Sequence, residues 1–179
     1  GQYALEWARE QDRLLAKASQ LFKSPVNELP LRLEALLQRN RELEKALEAE
    51  QLRKTAGAAD ELATQAFKIG TFNVLAARLD TPDAEQLRQA GDRLRDKIAP
   101  AVVVLASAQG DKVALIAMAS PEAVKAGANA GNLIREAAKI CGGGGGGRPD
   151  MAQAGGKDIS KIDAALAAAI ELVKQQIKA

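Results

Sequence analysis

With 179 residues, 25 basic and 23 acidic side chains and a net charge of +2, the chain has the length of one or two domains. That charge is too mild either to announce or to exclude a nucleic-acid partner. There is no histidine and a single cysteine, Cys141, which excludes a His/Cys zinc site, imidazole catalysis, a Ser-His-Asp triad and an intramolecular disulfide.

The lone cysteine suits a reducing compartment, so a cytoplasmic setting is expected. No run approaches the roughly 18–20 apolar residues that span a bilayer, and no secretory leader pattern is present. The chain opens at Gly1 and is helix-like by Tyr3, which reads as a piece of a longer polypeptide.

Trp7, Leu14 and Leu21 recur at sevens and predict a helix over residues 3–22. Phe22-Lys23-Ser24-Pro25 breaks it, with Ser24 placed as N-cap and Pro25 as first residue of a second helix running to about Thr55. In that helix Leu33, Leu36, Asn40, Leu43 and Leu47 keep a 3-4-3-4 spacing. The two helices are expected to form an antiparallel hairpin. So narrow a stripe on so long a helix asks for a further partner helix, such as one from a second copy. Asn40 either fixes register in that seam or lies idle on it. Ala56-Gly57-Ala58-Ala59-Asp60 reads as a break, dividing the chain into an arm, residues 1–57, and a globular part, residues 58–179.

In the globular part, Phe67 to Leu79 predicts a strand with Leu75, Ala77 and Leu79 on one face. Thr81-Pro82-Asp83 predicts a helix start, with Leu87, Leu94 and Ile98 on the buried stripe and a stop at Pro100. Ala101 to Ala108 and Val113 to Ala119 are near-continuous apolar runs joined by a Gln109-Gly110-Asp111-Lys112 turn. Strands of this kind belong in the middle of a sheet. A short helical element begins at Ser120-Pro121-Glu122. Another helix spans about Asn129 to Cys141, and Cys141 reads as a small buried hydrophobe. A last helix runs from about Ser160 to Lys178, with Ile162, Leu166, Ile170, Val173 and Ile177 at helical spacing. The fold class is α+β: a helical arm, then a small mixed sheet covered by helices.

Gly142 to Gly147 is an unbroken glycine run followed by Arg148-Pro149-Asp150. It lies between two well-formed helices and is followed by more than Ser/Gly filler, which favours a recognition loop over a linker. Six glycines satisfy a dinucleotide fingerprint trivially, but a helix rather than a strand precedes them. No Lys-Ser or Lys-Thr follows, so a phosphate-binding loop fails as well. Asp150, Asp158 and Asp163 lack a metal-ligand spacing; Asp150 is read as a local partner of Arg148 or a turn cap. Arg135 and Lys139, four apart on the preceding helix, either add phosphate-facing charge beside Arg148 and Lys157 or form an ordinary solvated face. Three Phe, one Tyr and one Trp offer no stacking platform for unpaired bases.

The stretch Gly143-Gly-Gly-Gly-Gly147-Arg148-Pro149-Asp150-Met151-Ala152-Gln153-Ala154-Gly155-Gly156 resembles the C-terminal domain of alanyl-tRNA synthetases, a DHH-associated nucleic-acid-binding family. The resemblance extends upstream through the Asn-Leu-Ile-Arg-Glu-Ala helix, the Val-Val-Val-Leu strand and the Leu-rich arm. One departure stands out: the family usually carries a lysine among these glycines, most naturally at Gly144. The resemblance implies a tRNA-binding and self-associating fragment without catalytic residues, cofactor or metal of its own. The intact enzymes use ATP, Mg2+ and Zn2+ in other domains of the same polypeptide, and this piece would link their aminoacylation and editing centres.

The resemblance further implies an alanine-specific tRNA gripped at its elbow by Gly143, Gly144, Gly145, Gly146, Gly147, Arg148, Gln153, Gly155, Gly156 and Lys157. Arg135 and Lys139 would support them, and Leu33, Leu36, Asn40, Leu43 and Leu47 would form a homodimer seam. Two rival functions stand beside it. One is a purely structural oligomerisation module. The other is stand-alone hydrolysis of nucleic acid, disfavoured because the Asp and His residues of that chemistry are lacking.

Overall fold

The computed structural model describes residues 1–177, and it divides into two compact units, Gly1–Gln51 and Leu52–Ala179. Helix α1 spans Gln2–Phe22 and ends where Lys23 turns left-handed (φ 48°). Ser24 N–H then bonds back to Ser19 O at 3.1 Å, and Ser19 Oγ donates to Ser24 O at 2.5 Å. This closure holds Ser24 buried, so Ser24 does not cap the next helix. A 3-10 turn, Val26–Glu28, intervenes and α2 begins at Leu29. The expected face-to-face hairpin is also absent: every residue from 2 to 17 and from 30 to 49 is exposed. The leucine seams of both helices open to solvent.

Helix α2 continues to Ala63, straight through the expected break at residues 56–60. Alanine is the strongest helix former, and one glycine costs only about 1 kcal/mol. Here that cost is offset by burial of Ala59 and by ion pairs from Asp60 to Lys97 (2.8 Å) and Arg93 (3.1 Å).

The predicted 67–79 strand is a hairpin, β1 (Phe67–Ile69) and β2 (Phe72–Arg78), because Gly70 takes φ 61° and reverses the chain. Leu75, Ala77 and Leu79 do share one buried face. Helix α3 (Ala84–Lys97) starts later than expected: Asp83 is the cap, its Oδ1 accepting from Gln86 N at 2.7 Å. Thr81 instead turns inward, its N–H donating to Ser107 Oγ at 2.9 Å. Leu87 and Leu94 are fully buried beneath α3, each stabilising by about 1.5–3 kcal/mol.

Strands β3 (Ala101–Gln109) and β4 (Lys112–Ala119) pair antiparallel around the expected turn, with Gly110 at φ 60°. Ser120 caps the short α4 (Pro121–Lys125), and Asn129 caps α5 (Ala130–Ile140). The glycine run is not a loop. Gly144–Gly147 is strand β5, paired antiparallel with β6 (Met151–Gly156). A 3-10 turn, Ile159–Lys161, leads into α6 (Ile162–Gln176). Lys178, where that helix is expected to end, lies outside the described residues.

The sheet order is β1-β2-β3-β4-β6-β5, mixed because only β2 and β3 run parallel. One face, with Leu115, Ala117 and Val104, packs on Leu133 and Ile134 of α5 and on Ile162 and Val173 of α6. The other, with Ile116, Met118 and Val103, packs on Leu87 and Leu94 of α3 and on Ala59. The two apolar runs are therefore central and buried on both sides, as their composition requires.

Candidate nucleic-acid interface

The glycines follow directly from how α5 ends. Gly142 adopts φ 65°, and Gly143 N–H bonds back to Ala138 O at 2.8 Å, closing the helix. The chain then runs out along β6 as the last strand of the sheet. One side of the β5 backbone bonds to β6; the other has no strand partner among the described residues and is exposed apart from a half-buried Gly146.

The glycines answer to different demands. A methyl group at residue 145 would lie 2.5 Å from both Ala154 Cα and Gln153 O, and one at 147 would lie 2.6 Å from Ala152 Cα. A methyl at 143 would run into the Gly155 carbonyl, and one at 156 would come within 2.6 Å of Cys141 Cβ. These four are glycine because main chains meet there. Gly144 has nothing within 4 Å of a methyl position, Gly146 has only Arg135 Nη2 at 3.9 Å, and Gly155 only Val113 O at 3.8 Å. None of these three takes the positive φ that favours glycine.

Residues 148–150 join the two strands and are tied down on both sides. Arg148 N–H donates to Met151 O, Pro149 O accepts from Ala130 N–H, and Asp150 O accepts from Ala119 N–H, each at 2.9 Å. The Arg148 side chain stands out from this fixed turn, 75 % exposed, with Nη2 3.1 Å from Asp150 Oδ2. The local pairing read from the sequence is thus present.

Arg135 projects from α5 beside β5, donating to Asn132 Oδ1 at 3.3 Å while its other terminal nitrogen faces Gly146. Lys139 is held by Glu136 at 2.6 Å. Gln153 pairs across the sheet with Ile116 and so lies on the face opposite α5. Lys157 sits at the base of the hairpin, roughly 20 Å along the strand from Arg148. Its N–H is fixed to Cys141 O at 2.8 Å and its side chain is exposed. The predicted residues therefore gather around one glycine hairpin, with cations at its tip, flank and base rather than in a single cluster. Lys112, which the sequence pattern places only in a turn, lies beside the hairpin base, since Val113 pairs with Gly156.

Cys141 is fully buried, and burial pushes its thiol up from the ordinary range, as suits an inert packing residue. Among the described residues no group of His, Cys, Asp and Glu is arranged to hold a metal ion. No helix among them is long and apolar enough to cross a membrane. Leu33, Leu36, Leu43 and Leu47 are all exposed, and Asn40 Nδ2 bonds within its own helix to Glu44 Oε1 at 3.4 Å.

A family model described as the DHHA1 domain matches residues 71–175, from β2 into α6. The chain belongs to the DHHA1 domain family. It is 42 % identical over 177 residues to the alanine–tRNA ligase of Acetivibrio thermocellus, covering 99 % of this chain and 20 % of that protein. To the alanine–tRNA ligase of Geobacillus thermodenitrificans it is 45 % identical over 166 residues, 93 % of this chain and 19 % of the relative. The chain thus spans about a fifth of the length of the curated relatives it matches. Among solved structures, the C-Ala domain of Aquifex aeolicus alanyl-tRNA synthetase matches with a TM-score of 0.53 and 34 % identity, covering 64 % of this chain and 98 % of that one. The α+β fold and the likeness to a C-Ala domain both agree with the reading of the glycine-rich motif.

Proposed function

We propose that this DHHA1 chain is the tRNA-binding and self-associating part of an alanine–tRNA ligase, working in the cytoplasm with the other domains of the same polypeptide. In this reading it holds the elbow of alanine tRNA, so that one bound tRNA serves both the aminoacylation and the editing centre. It contributes no catalytic group.

The observation that carries the reading is the anchored β5–β6 hairpin. It presents a side-chain-poor backbone edge with Arg148 fixed at its tip, in a chain similar to a C-Ala domain. Folded RNA is recognised by shape and by contacts to phosphate and 2′-hydroxyl groups. Exposed peptide groups supply such contacts at close range, and an anchored guanidinium adds a bidentate donor.

The test is a titration with alanine tRNA and with a minihelix that lacks the elbow. Intact tRNA should bind the tighter of the two, and Arg148→Ala should weaken it by about 1–3 kcal/mol, the range for losing a charged hydrogen-bond partner. Equal affinity for both RNAs would rule out the elbow.

The open seam favours a second role alongside the first. Leu33, Leu36, Leu37 and Leu43, with Phe22, line an apolar groove of about 340 Å3, and a second copy of the helix suits such a groove. Self-association and RNA binding use different residues and can be separated by mutation.

A further inference from the structure

At the base of the β5–β6 hairpin lies a cleft of about 300 Å3, with Lys112 and Lys157 on its rim. Val113, Gly144 and Gly155 also line it. Lys112 and Lys157 stand one residue beyond the paired positions Val113 and Gly156, so the β4–β6 register sets them opposite one another. Both side chains are exposed. Neither forms an ion pair with a carboxylate of the described residues, whereas Arg148 and Lys139 are each held by an acid.

The strand surface beside the lysines is bare. Gly144 and Gly155 face each other across the strand pair, and neither backbone angle nor internal packing requires glycine at either position. Glycine in a strand interior weakens it and marks close approach by another backbone or a ligand. Two neighbouring cations, without an acidic partner among the described residues and beside a bare strand surface, complement two successive phosphates of a nucleic-acid backbone.

Resting on the RNA-binding reading above, we propose that this cleft seats a ribose–phosphate segment of the bound RNA, with one phosphate against Lys112 and the next against Lys157. The adjoining ribose lies against the bare Gly144–Gly155 pair. Lys112, the first residue of β4, thereby becomes an RNA contact far from the glycine motif in sequence. Such a contact reads no base, so it strengthens binding without regard to sequence.

The experiment titrates the full chain with alanine tRNA across a series of salt concentrations. Lys112→Ala should lower the slope of log affinity against log salt by about 0.7–0.9 and weaken binding about six-fold at 0.1 M salt, the value of one released counterion. Lys112→Arg should restore both. Gly155→Ala adds a methyl that the free protein accommodates, so its melting temperature should not fall, while affinity drops several-fold as that surface is blocked. Unchanged slope and affinity in Lys112→Ala, or unchanged affinity in Gly155→Ala, overturns the proposal. If the parent chain shows no salt-dependent affinity for tRNA, the RNA-binding reading itself fails, and the parent titration alone reveals that.

Discussion

Substituting alanine at Gly145 and at Gly146 should give opposite results, although the two residues are adjacent in one exposed strand. At 145 the new methyl would sit 2.5 Å from Ala154 Cα and Gln153 O, about 1 Å inside ordinary van der Waals contact. Both obstacles are parts of β6 that cannot rotate away. Strand β5 would have to retreat, stretching its bonds to β6 while α5 presses on its end: a methyl at Gly131 of that helix would lie only 2.7 Å from Gly147 O. Overpacking of this kind costs about 1–3 kcal/mol, of which roughly 0.4–1 kcal/mol is returned because alanine restricts the unfolded chain. The net loss is about 1–2 kcal/mol. At 146 the nearest atom is the flexible end of Arg135, 3.9 Å away, so only the unfolded-state gain remains.

Differential scanning calorimetry is the suitable assay. The only tryptophan, Trp7, lies in α1, so its fluorescence reports on the arm and not on the sheet. Gly145→Ala should melt about 2–8 °C below the parent and Gly146→Ala at or a few degrees above it. Equal melting temperatures for the two variants would refute the claim that the glycines divide into backbone-contact and open positions.

Two further outcomes follow from other parts of the molecule. The Arg88 guanidinium, hydrogen-bonded to Glu85, lowers its carboxyl from the ordinary 4.5 to about 2. Its folded pKa lies below the unfolded value, so the lock is complete above about pH 4.5 and lost as pH falls toward 2. Glu85→Gln should therefore flatten the melting temperature over that window at low salt, and a profile parallel to the parent's would contradict this. In the arm, Leu43 is already exposed, so Leu43→Asp removes no monomer packing. By sedimentation equilibrium the parent should exceed the 18.9 kDa of a single chain and the variant should match it; a parent that is itself monomeric defeats the seam.

What the sequence disclosed depended on whether a side-chain pattern was there to read. The strands β3 and β4 and the buried stripe of α6 announce themselves through continuous or periodic apolar residues, and the structure places them accordingly. Signals carried by single residues shifted. Asp83, not Thr81, caps α3, because the Thr81 N–H is drawn to Ser107 Oγ, 26 residues away, and its hydroxyl donates to Asp83 O. The Ala-Gly-Ala-Ala stretch stays helical because Asp60 and Ala59 find partners on α3 and the sheet, which local propensity cannot anticipate.

The glycine run is the extreme case, since residues without side chains have no periodicity at all. Its identity as a strand comes wholly from β6, and its neighbours at the base come from the β4–β6 register. This matters for function, because a glycine-rich motif taken as one recognition element mixes two kinds of residue. Gly143, Gly145, Gly147 and Gly156 let backbones touch and shape the hairpin, whereas Gly144, Gly146 and Gly155 face outward with no such duty. Only the second set leaves surface open for a ligand. A loss of RNA binding on substituting the first set would report a displaced strand, so the contact itself can be mapped only through the second set and the cations beside it.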